Sequence, residues 1–492
     1  MIEVRNYING GWTRSSGETF QSYNPSTGKP LSTAPVTPAS EVSEAVAAAK
    51  AAFRAPAWRG LSAGQRSLAL LALADALQKR RKEAGELIAL EMGKPIRISL
   101  TREVDGAIDK LRYFAGAARL LDGQLTGATI PELFDLTIPE PVGPCALIIP
   151  WNDPIDLAIR KIGAAIAAGC TAVVKSSEIT PASTAFLFEV IDESKALPPG
   201  VLNLVAGPGN PTGEALVNHP DIAKISFTGS TATGMRIMEA ASRRLAKVSL
   251  ECGGKLPVLA FADADVERCL DAISYGAFMY TGQSCTAATR LYVERPLYPR
   301  LLDALVERSR GMKVGDAMDP AVLVGPMASR VQYDRVCRYL DVGIAEGARV
   351  ALGGKPRGDS LFIQPTVLTG DLGSSRIATE EVFGPVLLVQ PFDTEAQALD
   401  LANSTPYGLG GSVWTTNINR ALRMARKLDV ADVWVNTHYV RNTETPYGGR
   451  HLSGIGRELG MAGVEEYISW KRVCIDTRDQ YHLKAWFEGQ SA

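Results

Sequence analysis

The sequence predicts an α/β fold: two doubly wound α/β domains carrying a small β arm. Three observations predict it. At 492 residues the chain is too long for one core, so two or more domains are expected. From Cys145 to Glu251 short apolar runs alternate with amphipathic helical runs. Such alternation implies right-handed βαβ units and a parallel sheet covered on both faces. A second alternation begins after Gly254, while residues 123–141 are short, extended and proline-bounded, an arm rather than core.

The elements follow in order. Residues 7–35 alternate turn signals (Asn9-Gly-Gly11, Asn24-Pro25, Thr27-Gly28) with β-prone runs, a small hairpin element. A helix then starts with Ser40 as its N-cap, Glu41 and Glu44 in its first turn, and Val42, Ala45, Val46 and Ala49 on one face. Residues 65–80 and 97–121 continue as amphipathic helices. Strands are expected at 145–149, 171–175, 201–205, 224–228 and 247–251, with helices between them. In the second pattern, strand 256–261, helix 266–279, strand 290–294 and helix 300–310 come first. Strands 385–391, 411–414 and 432–436 follow, separated by helices 395–403 and 419–427, and 473–476 reads as a last edge strand.

Composition narrows the class. Hydrophobic residues make up 46% and charged ones 21%, ordinary for a globular protein. A net charge of -1 without a long basic run argues against nucleic acid or an anionic membrane as partner. The first residues lack an apolar signal core, and the longest apolar runs are short and broken by glycine. The 7 cysteines are scattered, which is no disulfide framework and suits a reducing, cytoplasmic setting. The 4 histidines form no metal-ligand pattern, so no metal is expected.

The chemistry gathers at loops. Cys285 lies in Tyr280-Thr281-Gly282-Gln283-Ser284-Cys285-Thr286-Ala287, a small-residue connection between helix and strand that gives a thiol access. Four predicted strands end in polar residues on one sheet edge: Pro150-Trp-Asn152, Lys175-Ser-Ser-Glu178, Phe227-Thr-Gly229-Ser230 and Glu251-Cys-Gly-Gly254. Ligands of doubly wound sheets bind at that edge. Gly229 and Ser230 open a helix, where backbone N–H groups favour a phosphate. Lys175 and Glu178 can grip ribose hydroxyls, and a carboxylate there repels a 2′-phosphate, which favours NAD over NADP. Glu251 can act as a general base, and the Asn152 amide can donate to a developing oxyanion. Nucleophile, base, oxyanion donor and dinucleotide site together suit oxidation of an aldehyde through a thiohemiacetal and a thioester.

These motifs resemble the NAD(P)-dependent aldehyde dehydrogenase superfamily, non-acylating type, from about Tyr7 to about Val473. Glu381-Val-Phe-Gly-Pro385 and Pro446-Tyr-Gly-Gly449 add to the likeness. The resemblance implies that Cys285 attacks the aldehyde carbon, that Asn152 and the Cys285 N–H hold the oxyanion, and that Glu251 activates the hydrolytic water. It implies that Lys175, Glu178, Gly229 and Ser230 hold the adenosine ribose and pyrophosphate of NAD, and that Glu381 and Phe383 hold the nicotinamide ribose and ring. It further implies an NAD-binding domain over 1–122 and 142–253, a catalytic domain over 254–452, and an oligomerisation arm from 123–141 and 473–492. A homodimer or homotetramer is then expected.

Three positions depart from the family pattern. Ser176 stands where proline is usual, with little expected effect on the cofactor. Cys252 follows Glu251 where leucine is usual and reads as a small packing residue. Ser469 replaces a second glutamate found in many members, which puts a proton relay through that position in doubt. The substrate tunnel reads as unusually charged: Asp153, Asp156, Leu157, Arg160, Tyr439, Arg441 and Tyr447 occupy positions where apolar residues are common. Two charges of each sign cancel on paper, which favours a neutral tunnel and an aromatic or other hydrophobic aldehyde. The alternatives are a carboxylated semialdehyde held by a free arginine, a CoA-acylating enzyme, or a catalytically silent member.

Overall fold

The computed structural model describes residues 1–127, 132–354, 356 and 360–478. Its frame is two large sheets. The first has eight strands in the order 454–455, 247–251, 224–228, 144–148, 171–175, 202–205, 6–8, 11–13. The five central strands run parallel, and the N-terminal hairpin and 454–455 add antiparallel edges. Every residue of Pro144–Ile148, Thr171–Lys175, Leu202–Val205 and Lys224–Thr228 is buried. Helices on both faces cause this, so these strands carry apolar runs instead of an alternation. The second sheet has seven strands in the order 349–352, 366–369, 386–392, 288–294, 256–260, 410–414, 432–435, parallel except for the first.

The expected elements from 145 to 310 and from 385 to 436 fall within two residues of their predicted bounds, apart from the turn after Val205. There a wide turn, Gly209–Gly213, precedes a short helix, Glu214–Asn218. Ser40 is not an N-cap. The helix runs Ala39–Arg54 behind Pro38 without a side-chain cap, while Val42, Ala45, Val46 and Ala49 are buried as their spacing requires. The long helix expected over 97–121 is interrupted by a wide turn at Ser99–Val104 before Asp105–Ala117. The hairpin element divides: Asn6–Ile8 and Gly11–Thr13 join the first sheet, whereas Thr19–Tyr23, Pro30–Pro35 and Ile2–Glu3 form a separate one. Helix Arg330–Ala345 and strands Arg349–Leu352 and Thr366–Thr369 fill a stretch whose sequence pattern yielded no element.

The arm is a three-stranded antiparallel sheet of Gln124–Thr126, Leu133–Pro141 and Ile468–Asp476. Its last strand starts at Ile468, five residues before the expected Val473. Residues 128–131 and 479–492 of the expected arm lie outside the described residues. Phe134, Ile138, Trp470 and Ile475 stay exposed on it.

Candidate active site

Helix Pro154–Ala168 follows the first central strand, and all of its residues are buried, Asp156, Arg160 and Lys161 among them. Buried charge is costly unless paired, and here it is paired. Asp156 meets Lys110 at 2.7 Å and Arg160 at 2.8 Å. Lys161 forms an ion pair with Glu458 and donates to Thr228 Oγ1 at 2.8 Å. Just before the helix, Asp153 and Glu103 share Lys94, and Glu103 also accepts from the Ile155 N–H at 2.9 Å. Lys94 lies 4.0 Å from the centroid of the Tyr280 ring, tying this strand end to the cysteine loop.

That loop is strongly bent. Tyr280, Thr281 and Gly282 all adopt positive φ, at 54°, 58° and 68°. Two non-glycine residues in succession there are strained, and such strain persists only where surroundings impose it. A Cβ on Gly282 would stand 2.1 Å from the Gly384 carbonyl oxygen, so only glycine fits. Gln283 pins the turn: it donates to the Tyr280 carbonyl at 3.1 Å and accepts from the Ala328 N–H at 2.9 Å. Beyond Cys285, His438 Nε2 lies 3.2 Å from the Thr286 carbonyl, which makes it the donor and leaves Nδ1 to accept from Ser412. Burial pushes His438 down to about 4, so it is a neutral spacer.

Cys285 is partly exposed. The Asn152 amide donates to the Gln283 carbonyl at 3.2 Å, which anchors it beside the cysteine loop and leaves its second N–H for another acceptor. Glu251 is buried, and neither carboxylate oxygen has a hydrogen-bond partner. Burial, and then the nearby Glu458, push its carboxyl well above the usual carboxylate range. A Cβ on Gly448 would approach Glu251 Oε1 to 2.8 Å, so that glycine leaves the carboxylate its space. Tyr447 feels the charge of both Cys285 and Glu251.

The residues expected to hold a dinucleotide lie at neighbouring strand ends and at the Glu381–Phe383 turn. Lys175 Nζ is buried 3.7 Å from the half-exposed Glu178 carboxylate. Ser230 caps helix Thr231–Ser242, and the Gly229 N–H donates to the Glu251 carbonyl at 3.0 Å. Glu381 accepts from the Gly254 N–H at 3.1 Å, and a Cβ on Gly253 would sit 2.2 Å from both its oxygens. Burial raises Glu381 to about 7. Phe383 makes an edge contact with Trp151 at 5.3 Å, beside Asn152. The Glu381–Phe383 turn is held from behind by Arg335, donating to the Glu381 carbonyl, and by Gln332, donating to those of Val382 and Phe383. A half-exposed carboxylate beside a buried ammonium, with a capped helix start nearby, fits a ribose and pyrophosphate, so these residues suit a dinucleotide.

The sequence reading missed Glu458 and Lys161. Strand Gly454–Ile455 pairs with Leu250 and Glu251 and brings Glu458 within electrostatic reach of Glu251. The carboxylate next to Glu251 is therefore Glu458, while Ser469 faces Glu140 across the arm sheet. The signal was present as Gly456-Arg457-Glu458-Leu459, but nothing local links it to strand 247–251. Cys252 is a packing residue: it is buried against Gly234, and burial pushes its thiol up to about 12.

The tunnel charges do not cancel among themselves. Asp153 belongs to Lys94, and Asp156 is shared by Lys110 and Arg160. Among the described residues no carboxylate lies within ion-pair distance of Arg441. Its Nη2 donates to Thr286 Oγ1 at 2.6 Å and to Tyr447 Oη at 3.1 Å, while its Nε is buried without a partner.

Residues 12–473 match the model of the aldehyde dehydrogenase family. An aldehyde dehydrogenase of Emericella nidulans is 39% identical, over 95% of this chain and 94% of that protein. Human retinal dehydrogenase 2 is 38% identical, over 95% of this chain and 91% of its own length. The NAD+ complex of an aldehyde dehydrogenase from Bacillus cereus superposes with a TM-score of 0.95 at 37% identity, covering 97% of each chain. The chain belongs to the aldehyde dehydrogenase family, as an NAD-dependent, non-acylating oxidoreductase.

Proposed function

We propose that Cys285 is the nucleophile of this aldehyde oxidation, Asn152 the oxyanion donor and Glu251 the hydrolytic base. The thiolate adds to the aldehyde carbon, a C–S bond forms, and the carbonyl oxygen takes the charge beside the Asn152 amide. NAD, held by Lys175, Glu178, Gly229, Ser230, Glu381 and Phe383, supplies the hydride acceptor when bound. Glu251 then takes a proton from water, the oxygen attacks the thioester carbon, and the C–S bond breaks to release the acid. The observation that carries this reading is the buried carboxylate of Glu251 with both oxygens unbonded, together with a partly exposed thiol, the Tyr447 phenol being within electrostatic reach of both. It argues against a CoA-acylating enzyme, which needs no water-activating base. Cys285→Ala tests it: oxidation should vanish while NAD still binds, and substantial turnover would refute the assignment.

A second reading concerns the aldehyde. The hydrophobic preference rested on cancelling charges, and Arg441 without a carboxylate favours the carboxylated alternative instead. An aldehyde panel read by NADH absorbance decides it. Carboxylated aldehydes should rank first and lose more in Arg441→Ala than the loss they share with aromatic aldehydes; a loss of equal size on both classes would restore the hydrophobic reading.

The domain boundaries drawn above belong to the same proposal: 1–122 with 142–253 for NAD, 254–452 for catalysis, and arm segments 123–141 and 473–492 for assembly into a homodimer or homotetramer. The exposed apolar side chains on the arm support assembly. No helix among the described residues is long and apolar enough to cross a membrane. A cytoplasmic setting rests on the seven free cysteines.

A further inference from the structure

Tyr447 lies against the thiol. Its Oη is 3.5 Å from Cys285 Sγ, close enough for a hydrogen bond to sulfur. The same oxygen accepts from Arg441 Nη2 at 3.1 Å. A phenol has one proton, and with Arg441 filling an acceptor site that proton is left for the sulfur. The guanidinium carbon lies 4.2 Å from the Tyr447 ring centroid, and that of Arg160 lies 5.5 Å from it. The Tyr447 backbone is fixed by two reciprocal bonds to Glu458, each 2.7 Å. The ring is therefore held at both ends and cannot drift from the sulfur.

We propose that Tyr447 donates the hydrogen bond that stabilises the Cys285 thiolate once it forms, and that Arg441 is the positioning residue that turns the phenol proton to the sulfur. The proposal rests on Cys285 being the nucleophile. On ionisation the thiol proton leaves to solvent and Tyr447 keeps its own, since burial holds its phenol well above the ordinary range. The groups around the thiol oppose one another. Burial lifts it above its ordinary value and Asp153 adds to that, whereas Arg441, Tyr447 and Arg160 pull it back. Tyr439 and Glu251 complete the surroundings. Removing the phenol proton leaves burial less opposed.

The test is the pH dependence of Cys285 alkylation by iodoacetamide in the full chain without aldehyde, read by mass spectrometry of the Cys285 peptide. A hydrogen bond to a charged group corresponds to a midpoint about one to two pH units higher in Tyr447→Phe, or alkylation ~10–100-fold slower below both midpoints. Arg441→Met should move the midpoint the same way. The double variant should shift by less than the two single shifts added, because the part of the Arg441 effect that runs through the Tyr447 proton is counted once. An unchanged or lowered midpoint in a folded Tyr447→Phe protein overturns the proposal. If that variant does not fold, Arg441→Met decides alone, and an unchanged midpoint there overturns it as well. Activity retained in Cys285→Ala would instead sink the nucleophile assignment, and this readout does not depend on turnover.

Discussion

Glu251→Gln separates the two halves of the reaction. The substitution keeps the shape of a side chain whose oxygens touch no hydrogen-bond partner, so the pocket should hold. It removes the group proposed as the base. Loss of a positioned general base costs about 10²–10⁴ in rate, or ~3–5 kcal/mol of barrier. That loss should fall on thioester hydrolysis alone. In a rapid-mixing trace the variant should release about one NADH per active site and then slow by that factor. The wild-type steady state should rise with pH as Glu251 loses its proton, over a range displaced upward by burial and by Glu458. The variant should lack that limb. Stability supplies a second readout with a definite sign. A carboxyl whose pKa is raised in the folded state stabilises below its unfolded pKa, and this is lost as pH rises through the folded value. The Gln variant should therefore melt above the wild type at pH 8, with the difference closing towards pH 4. A missing first equivalent of NADH, or a steady state within about threefold of wild type, would refute the deacylation role.

The remaining predictions are briefer. Asn152→Ala should lower kcat about 10²–10³-fold with NAD affinity unchanged, and a kcat near wild type would remove Asn152 from the oxyanion site. Gly282→Ala combines a left-handed backbone with a 2.1 Å approach to Gly384 O, so it should cost at least ~2 kcal/mol by thermal unfolding and abolish turnover. An unchanged Tm would contradict that geometry. Lys94→Met strands two carboxylates, Glu103 and Asp153, and should cost about 3–5 kcal/mol in denaturant titration. A loss under ~1 kcal/mol would mean the pair is solvated. NAD should exceed NADP in kcat/KM, and Glu178→Gln should narrow the gap; equal efficiencies in the wild type would place Glu178 away from the ribose.

The strand–helix alternation was legible because it is local. Apolar runs such as Thr171–Lys175 are buried throughout, packed by helices Ala39–Arg54 and Pro154–Ala168, and an unbroken apolar run records that burial directly. The placement of Cys285, Glu251, Asn152 and the Lys175–Glu178 pair at strand ends or turns was legible too, since each has its own local sequence signature; the roles proposed for them rest on the experiments above. Other features had no local trace. Ser40 looked like a cap, yet the chain enters that helix at Ala39 behind Pro38. Glu458 is 207 positions after Glu251, and the antiparallel pairing of Gly454–Ile455 with Leu250 and Glu251 brings it there. The tunnel charges show the same limit. Counted along the chain, two acids and two arginines balance. In space, Lys94 from a loop and Lys110 from another helix take the acids, and Arg441 is left facing Tyr447 and the thiol. Fold class and reaction type depend on patterns within a few residues of one another. Charge pairing depends on which buried groups meet across elements, and only the tertiary structure decides that.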